Sequence, residues 1–300
     1  MTNLSSQNLW INIDKPIGYS SAKVVAIVKK ITGAKKVGHG GTLDPFASGV
    51  LPVAINYATK TCEYIMNARK KYFFRINWGE FRDTDDIEGK LIESSLARPS
   101  AEQIISAMPF FIGKIKQVPS CFSAININGK RAYELARQNI EFEIKEREVE
   151  IYSLKLISNS ENFAEFEIEC SKGTYVRSLA RAMSKKLGVC GYVSLLTRLS
   201  VGKFLYEKRI SLDMLKQVVN YGHSFSDGSL LFLQDVLDFM IAITLDDIDS
   251  SRFKNGQMIR TSHKSLEPSF SGLALIINHN EIIGLAKSQD GLLKPINVFK

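Results

Sequence analysis

The chain has 300 residues, 45% hydrophobic and 23% charged, with a net charge of +8 and a pI near 9.2. That is the balance of a soluble globular protein, in one large domain or two ordinary ones, with enough chain to bury a sizeable core. No uninterrupted apolar run reaches membrane-spanning length, which excludes a helical membrane protein.

MTNLSSQNLW lacks the basic-then-apolar pattern of a secretory leader, so a cytoplasmic location and no membrane partner are expected. Cys62, Cys121, Cys170 and Cys190 form no C-x-x-C pair and read as reduced thiols, neither a zinc site nor a redox pair. After residue 230 there are seven Lys/Arg and eight Asp/Glu, which leaves 32 basic and 23 acidic residues before it, a net +9. That field suits a polyanion, nucleic acid first, although it serves solubility equally well.

In chain order, Leu9 to Ile13 reads as an apolar strand, and Pro16 with Gly18 as a turn. Ser20 or Ser21 can cap a helix whose stripe is Val24, Ile27, Val28 and Ile31 and whose end is Gly33. KVGHGGTLDPFASGVLPVAIN, residues 36–56, is irregular, with four glycines and two prolines. A helix is expected over 58–68. A strand follows over 72–78, with Tyr72, Phe74, Ile76 and Trp78 on one face. FRDTDDIEGK reads as an acidic turn region, 100–109 as a short amphipathic helix, and QVPSCFSAININGKRAYELARQN as irregular and then helical.

Residues 148–158 and 163–170 read as paired strands, the second with Phe166, Ile168 and Cys170 inward and glutamates outward. Val176, Leu179, Ala180, Met183 and Leu187 make a helical stripe closed by Gly188. Strands and helices mix without regular alternation, so the expected class is α+β. YGHSFSDGSL, around 220–230, is a linker candidate. The expected domains are residues 1–230 and a small β-rich unit, residues 231–300.

Neither G-x-G-x-x-G nor G-x-x-x-x-G-K-[ST] occurs, so a nucleotide cofactor finds no support. His39, His223, His263 and His279 are scattered and argue against a metal site. Asp44 can cap one helical turn with Pro45 at its first position. The alternative is catalysis: Gly38, Gly40 and Gly41 permit close approach, and irregular loops on rigid scaffolds carry catalytic groups. Arg177 opposes the dipole in the first turn of its helix and lies off the apolar stripe. It is either a solvated surface arginine or one with a carboxylate or phosphate partner. Tyr175, just before it, can pack at the helix start. Tyr72 is either core or, beside Lys70 and Lys71, a ring that stacks on a base while the lysines meet phosphate.

GHGGTLDPFASGVLPVAIN, with DKPIGYSS, KKYFF, QVPSCFSAININGKRAYELAR and GTYVRSLARAMSKKLG in the same order, resembles the bacterial tRNA pseudouridine synthase B family, the TruB type. The match covers most of residues 9–205; FKNGQMIR resembles, more weakly, the family's small PUA-like RNA-binding domain. The resemblance implies the pseudouridine synthase fold, with a mixed, mainly antiparallel sheet. It implies conversion of uridine-55 in the T-loop of tRNA to pseudouridine, without cofactor or metal, the partner being the tRNA T-arm. It implies Asp44 as nucleophile, Arg177 as its ion-pair partner, and Tyr72 as the ring that stacks on the base and takes its proton. Tyr175 and Leu196 would line the pocket, and His39 would fill the space left by the flipped base.

The family usually has threonine where Gly40 stands, which implies extra flexibility here. It often has histidine and arginine where Tyr192 and Thr197 stand, with Arg198 as the basic residue that remains. Two rivals stay open: an RNA-binding protein or tRNA chaperone that needs no Asp44, and a synthase of the same fold acting on other RNA. Nothing in the sequence demands more than a monomer.

Overall fold

The structure, a computed structural model, describes residues 4–123, 125–127, 129–138, 140–260 and 271–299. A ten-stranded sheet forms its frame. The strands run in the order Leu230–Phe232, Leu9–Lys15, Ser48–Ile55, Gly191–Val201, Lys70–Trp78, Phe163–Cys170, Arg147–Asn159, Gly113–Gln117. Val37–His39 pairs with Ser48–Ile55, and Phe204–Leu205 with Gly191–Val201. Every named strand pair in this sheet is antiparallel except one, where Thr197 faces Ser48 and Arg198 faces Gly49 in parallel. The class is α+β with a mixed, mainly antiparallel sheet, as expected.

The alternating strands form because one face is buried. Lys70–Trp78 and Phe163–Cys170 both alternate between buried and half-buried residues, and Phe74 stacks on Phe166 with ring centres 5.2 Å apart. Val176–Leu187 packs Leu179, Ala180 and Met183 against that face and ends at Gly188 in the left-handed conformation. Ser21–Thr32 is capped by Ser20, whose side chain accepts from Lys23 N, and it closes at Gly33. Ala101–Ala107 has a full capping box, Ser100 with Gln103. The helix expected over 58–68 is split: a 3₁₀ segment, Asn56–Thr61, leads into a short α-helix, Cys62–Asn67.

At the C-terminal end a five-stranded sheet runs Ile241–Thr244, Gly272–Asn278, Glu281–Gln289, Leu292–Val298, Ile259–Arg260. It does not hang on a solvated tether. Leu230–Phe232 pairs with Leu9–Ile11 at the edge of the large sheet. Leu233, Val236, Leu237, Leu275, Leu285 and Phe299 share one apolar cluster with Trp10, Val50 and Ala54.

Candidate active site

The single parallel junction sets up the site. Residues 40–47 are the loop of the antiparallel pair Val37–His39 and Ser48–Ile55, and it lies where Ser48–Ile55 begins its parallel contact with Gly191–Val201. At the junction Gly49 has φ +99°, and a Cβ there would stand 2.4 Å from the Arg198 carbonyl oxygen. Only glycine fits.

Three side chains hold this loop. Ser21 accepts from Leu43 N at 2.9 Å and donates to Leu43 O at 3.1 Å. Lys15, fully buried, donates to Pro16 O, Tyr19 O and Pro45 O at 2.9, 2.7 and 3.2 Å. Burial lowers its pKa to about 8. Arg198, also fully buried, donates to Val50 O, Thr42 O and Gly41 O at 2.7, 3.2 and 3.0 Å. Both cations bracket Asp44 through backbone carbonyl oxygens. The basic residue expected to remain for phosphate is thus spent inside the protein.

Asp44 does not cap a helix. Pro45 and Phe46 form a turn closed by Ala47 N donating to Asp44 O at 3.1 Å, and the carboxylate turns to Arg177. Arg177 Nε donates to Oδ2 at 2.9 Å and Nη2 to Oδ1 at 3.2 Å, a fork on both oxygens. The remaining donors meet Thr84 O at 2.9 Å and Phe122 O at 3.1 Å, and Nη1 lies 3.1 Å from Asp86 Oδ2. Arg177 is only 3% exposed, so the solvated alternative is excluded; Asp44 is 29% exposed, which leaves its carboxylate open on the other side. Burial alone would lower the Arg177 pKa, but the carboxylates of Asp44 and Asp86 outweigh it and raise it. One turn along the helix, Arg181 Nη1 meets Asp85 Oδ2 at 2.6 Å and Nη2 meets Val118 O at 3.1 Å.

Asp44 and Arg177 open into a cavity of about 500 Å³ that Tyr72, Tyr175 and Leu196 also line. Tyr72 is buried on its strand, and burial pushes its phenol up to about 12 although the Arg198 guanidinium opposes this. Tyr175 is fixed through its backbone: its N donates to Gln117 Oε1 at 2.8 Å, and Gln117 Nε2 donates to its carbonyl at 3.0 Å. Five of the six expected residues therefore converge. His39 stands apart from the cavity lining, on Val37–His39, where its Nδ1 accepts from Gly41 N at 3.3 Å. Burial, with Arg198 adding to it, lowers its pKa and favours the neutral ring.

Several expectations are corrected. Lys70 is buried and donates to Met66 O and Ala68 O, and Lys71 pairs with Glu167, so neither awaits a phosphate. At Gly40 space decides the residue: an added Cβ would lie 2.6 Å from Ile65 Cγ2. Gly38 likewise faces Cys62 and Thr59, so of these three glycines only Gly41 borders the cavity. Tyr192 supports the Arg82 guanidinium 4.3 Å from its ring, and Thr197 Oγ1 lies 3.3 Å from Ser48 Oγ. Asp86, the carbonyl groups of Thr84 and Phe122, Lys15 and Gln117 were not singled out. The density of acidic residues in FRDTDDIEGK is a signal for Thr84 and Asp86 alone; Lys15, Gln117 and Phe122 lie in the stretches DKPIGYSS and QVPSCFSAININGKRAYELAR. No metal-binding cluster of His, Cys, Asp and Glu occurs among the described residues; His263 lies outside them.

The fold recurs in solved structures. The archaeal box H/ACA sRNP Nop10–Cbf5 complex contains a chain matching 99% of this one and 88% of its own length, with TM-score 0.71 and 22% identity. The Cbf5–Nop10–Gar1 complex contains one matching 97% and 84%, with TM-score 0.70 and 25% identity. Those structures share the fold; the class, a pseudouridine synthase, comes from the sequence family. Residues 29–176 match the TruB family pseudouridylate synthase N-terminal domain. The tRNA pseudouridine synthase B of Ehrlichia chaffeensis is 43% identical over 97% of this chain and 98% of that protein. The protein of the same name from Bradyrhizobium diazoefficiens is 42% identical over 97% and 85%. The chain belongs to the TruB family.

Proposed function

We propose that the chain isomerises uridine-55 in the T-loop of tRNA to pseudouridine, with Asp44 as nucleophile and no cofactor. One observation carries the chemistry: a half-exposed carboxylate, gripped on both oxygens by a buried arginine, at the wall of a cavity large enough for one nucleoside. Arg177 uses one lone pair on each oxygen and leaves the others for attack. Because its other donors are anchored, the carboxylate is aimed before substrate arrives. The relatives' name, held over nearly their full length, supports tRNA as the substrate.

A base in a folded loop must leave its stack to reach Asp44. Tyr72 offers the ring against which it rests and Leu196 an apolar wall. Tyr72 is a neutral phenol near pH 7, so for its oxygen to take the proton from uracil C5 its own hydroxyl proton must pass to an acceptor, solvent water at the open cavity being the one at hand. His39, neutral and on the strand that enters the loop, would fill the gap in the RNA stack. Residues 1–230 would carry the reaction and residues 231–300, PUA-like, would extend the RNA contact, in a cytoplasmic monomer.

The test is tritium release from an unmodified tRNA transcript carrying 5-tritiated uridine, for wild type beside Asp44→Asn. The expected result is release approaching one equivalent per tRNA by wild type alone, with the product mapped to position 55. Equal release by the variant removes Asp44 from the mechanism. Tight binding with no release by either replaces the enzyme by an RNA-binding protein or chaperone.

A further inference from the structure

Five cationic side chains line the cavity: Lys70, Arg147, Lys172, Arg177 and Arg198. Four are spent on the protein. Lys70 and Arg198 donate to backbone carbonyl oxygens, Arg177 to Asp44 and its other partners, and Lys172 to Asn67 Oδ1 at 2.8 Å. Arg147 differs. Its Nε and Nη2 are both shielded from water, and neither has an acceptor. Glu148, next along the strand, pairs with Lys114 instead. Desolvating charged donors without an acceptor is unfavourable, so a fold tolerates it mainly where a ligand supplies the acceptor.

Arg147 is packed at the cavity wall. Its guanidinium lies on the Tyr175 ring, 4.5 Å from the centre. Tyr175 is locked by Gln117, which is also the residue opposite Arg147 in the sheet register. Gly173 adds no side chain on the other flank, where a Cβ would sit 3.7 Å from the guanidinium carbon. Arg147, Gln117 and Tyr175 thus form one packed unit at the cavity wall.

We propose that Arg147 is a phosphate-binding residue of this site, taking a backbone phosphate of the RNA strand beside the nucleotide whose base enters the cavity. This rests on the reading of the cavity as the site of an RNA uridine. Nε–H and Nη2–H form the parallel fork that matches two oxygens of one phosphate, and the guanidinium must turn this covered edge outward to present it. Uracil matches it poorly, because a donor N–H separates its two carbonyl groups. A single anionic contact here would fix where the strand turns and hence how the base enters.

The experiment measures Kd for the tRNA transcript over a salt series for wild type, Arg147→Gln and Arg147→Lys. Tritium release by wild type and a melting scan of each variant serve as controls. Arg147→Gln is expected to weaken binding on the order of tenfold to a hundredfold. It should also flatten the slope of log K against log salt by about 0.7 to 0.9, the loss of one phosphate. Arg147→Lys should restore the slope but only part of the affinity. Replacing single phosphates near the target uridine by methylphosphonate should locate one linkage that weakens wild type and leaves Arg147→Gln indifferent. An unchanged salt slope, the same methylphosphonate penalty in both proteins, or a fall in saturating rate at constant Kd would overturn the proposal. If wild type releases no tritium, the reading of the site fails first and takes this inference with it. If wild type is active and Arg147→Gln matches it, this inference alone fails.

Discussion

Arg177 gathers much of the site on one side chain. It reaches Asp44, Asp86, Thr84 O and Phe122 O, so four points of the chain meet at one guanidinium. Lysine offers no planar fork, so Arg177→Lys is expected to lower single-turnover pseudouridine formation at least a hundredfold while tRNA binding changes little. Rapid-quench tritium release against filter binding separates the two. Tyr72→Phe keeps the ring and removes the phenol; if the hydroxyl moves a proton, the rate falls about a hundredfold or more with Kd within a few-fold. A rate near that of wild type would leave Tyr72 a stacking role only. That Asp44, Tyr72 and Arg177 belong together was suggested by the motifs around them, which resemble the family's, and the fold does bring them to one cavity. The burial of Arg177 was not legible, since its acceptors belong to segments that read as an acidic turn and an irregular loop. Backbone carbonyl groups carry no sequence signature.

Elements were easier to read than their order. Alternation in FAEFEIEC and the stripe from Val176 to Leu187 announced a strand and a helix, and both formed. Nothing local told that Gly191–Val201 would lie between Ser48–Ile55 and Lys70–Trp78, because that order depends on which distant faces bury together. Gly40 illustrates the same gap. Its neighbour Ile65 arrives from another helix, so Gly40→Thr should overpack the site and cost about 1–3 kcal/mol in denaturant unfolding, not merely stiffen a loop. The loop carrying Asp85 gives a pH signature. Burial raises its pKa to about 6 from 3.8, against the pull of Arg181. The folded state therefore holds the proton more tightly, and this contribution is fully present below about pH 4 and lost as pH rises through 6. Asp85→Asn lacks the loss. The stability advantage of wild type over Asp85→Asn should thus shrink by about 3 kcal/mol between pH 4 and pH 7, read from paired urea titrations.

At the scale of the molecule, the C-terminal sheet is welded to the large one. Tyr57 stacks on Phe299 with centres 5.6 Å apart, and Leu275 and Leu285 share a cluster with Trp10 and Val50. Truncation after residue 230 is therefore expected to lower the melting temperature and solubility, not only RNA affinity; a soluble fragment with unchanged melting would show that the two units are independent. The sequence suggested a linker there because YGHSFSDGSL is polar, yet the chain resumes pairing at Leu230.

The place of Gly191–Val201 also bears on how the chain is made. Strands 48–55 and 70–78 leave the ribosome early, but the strand that joins them is more than a hundred residues behind, roughly 5–25 s at ordinary synthesis rates. Until it arrives, the two halves of the sheet must stay apart with facing edges unpaired, and Asp44 waits for an arginine 133 residues downstream. Closure of the sheet is thereby tied to synthesis of the first two-thirds of the chain. A nascent chain arrested before residue 191 should bind RNA poorly and do no chemistry, so a truncated product would not compete with the finished enzyme.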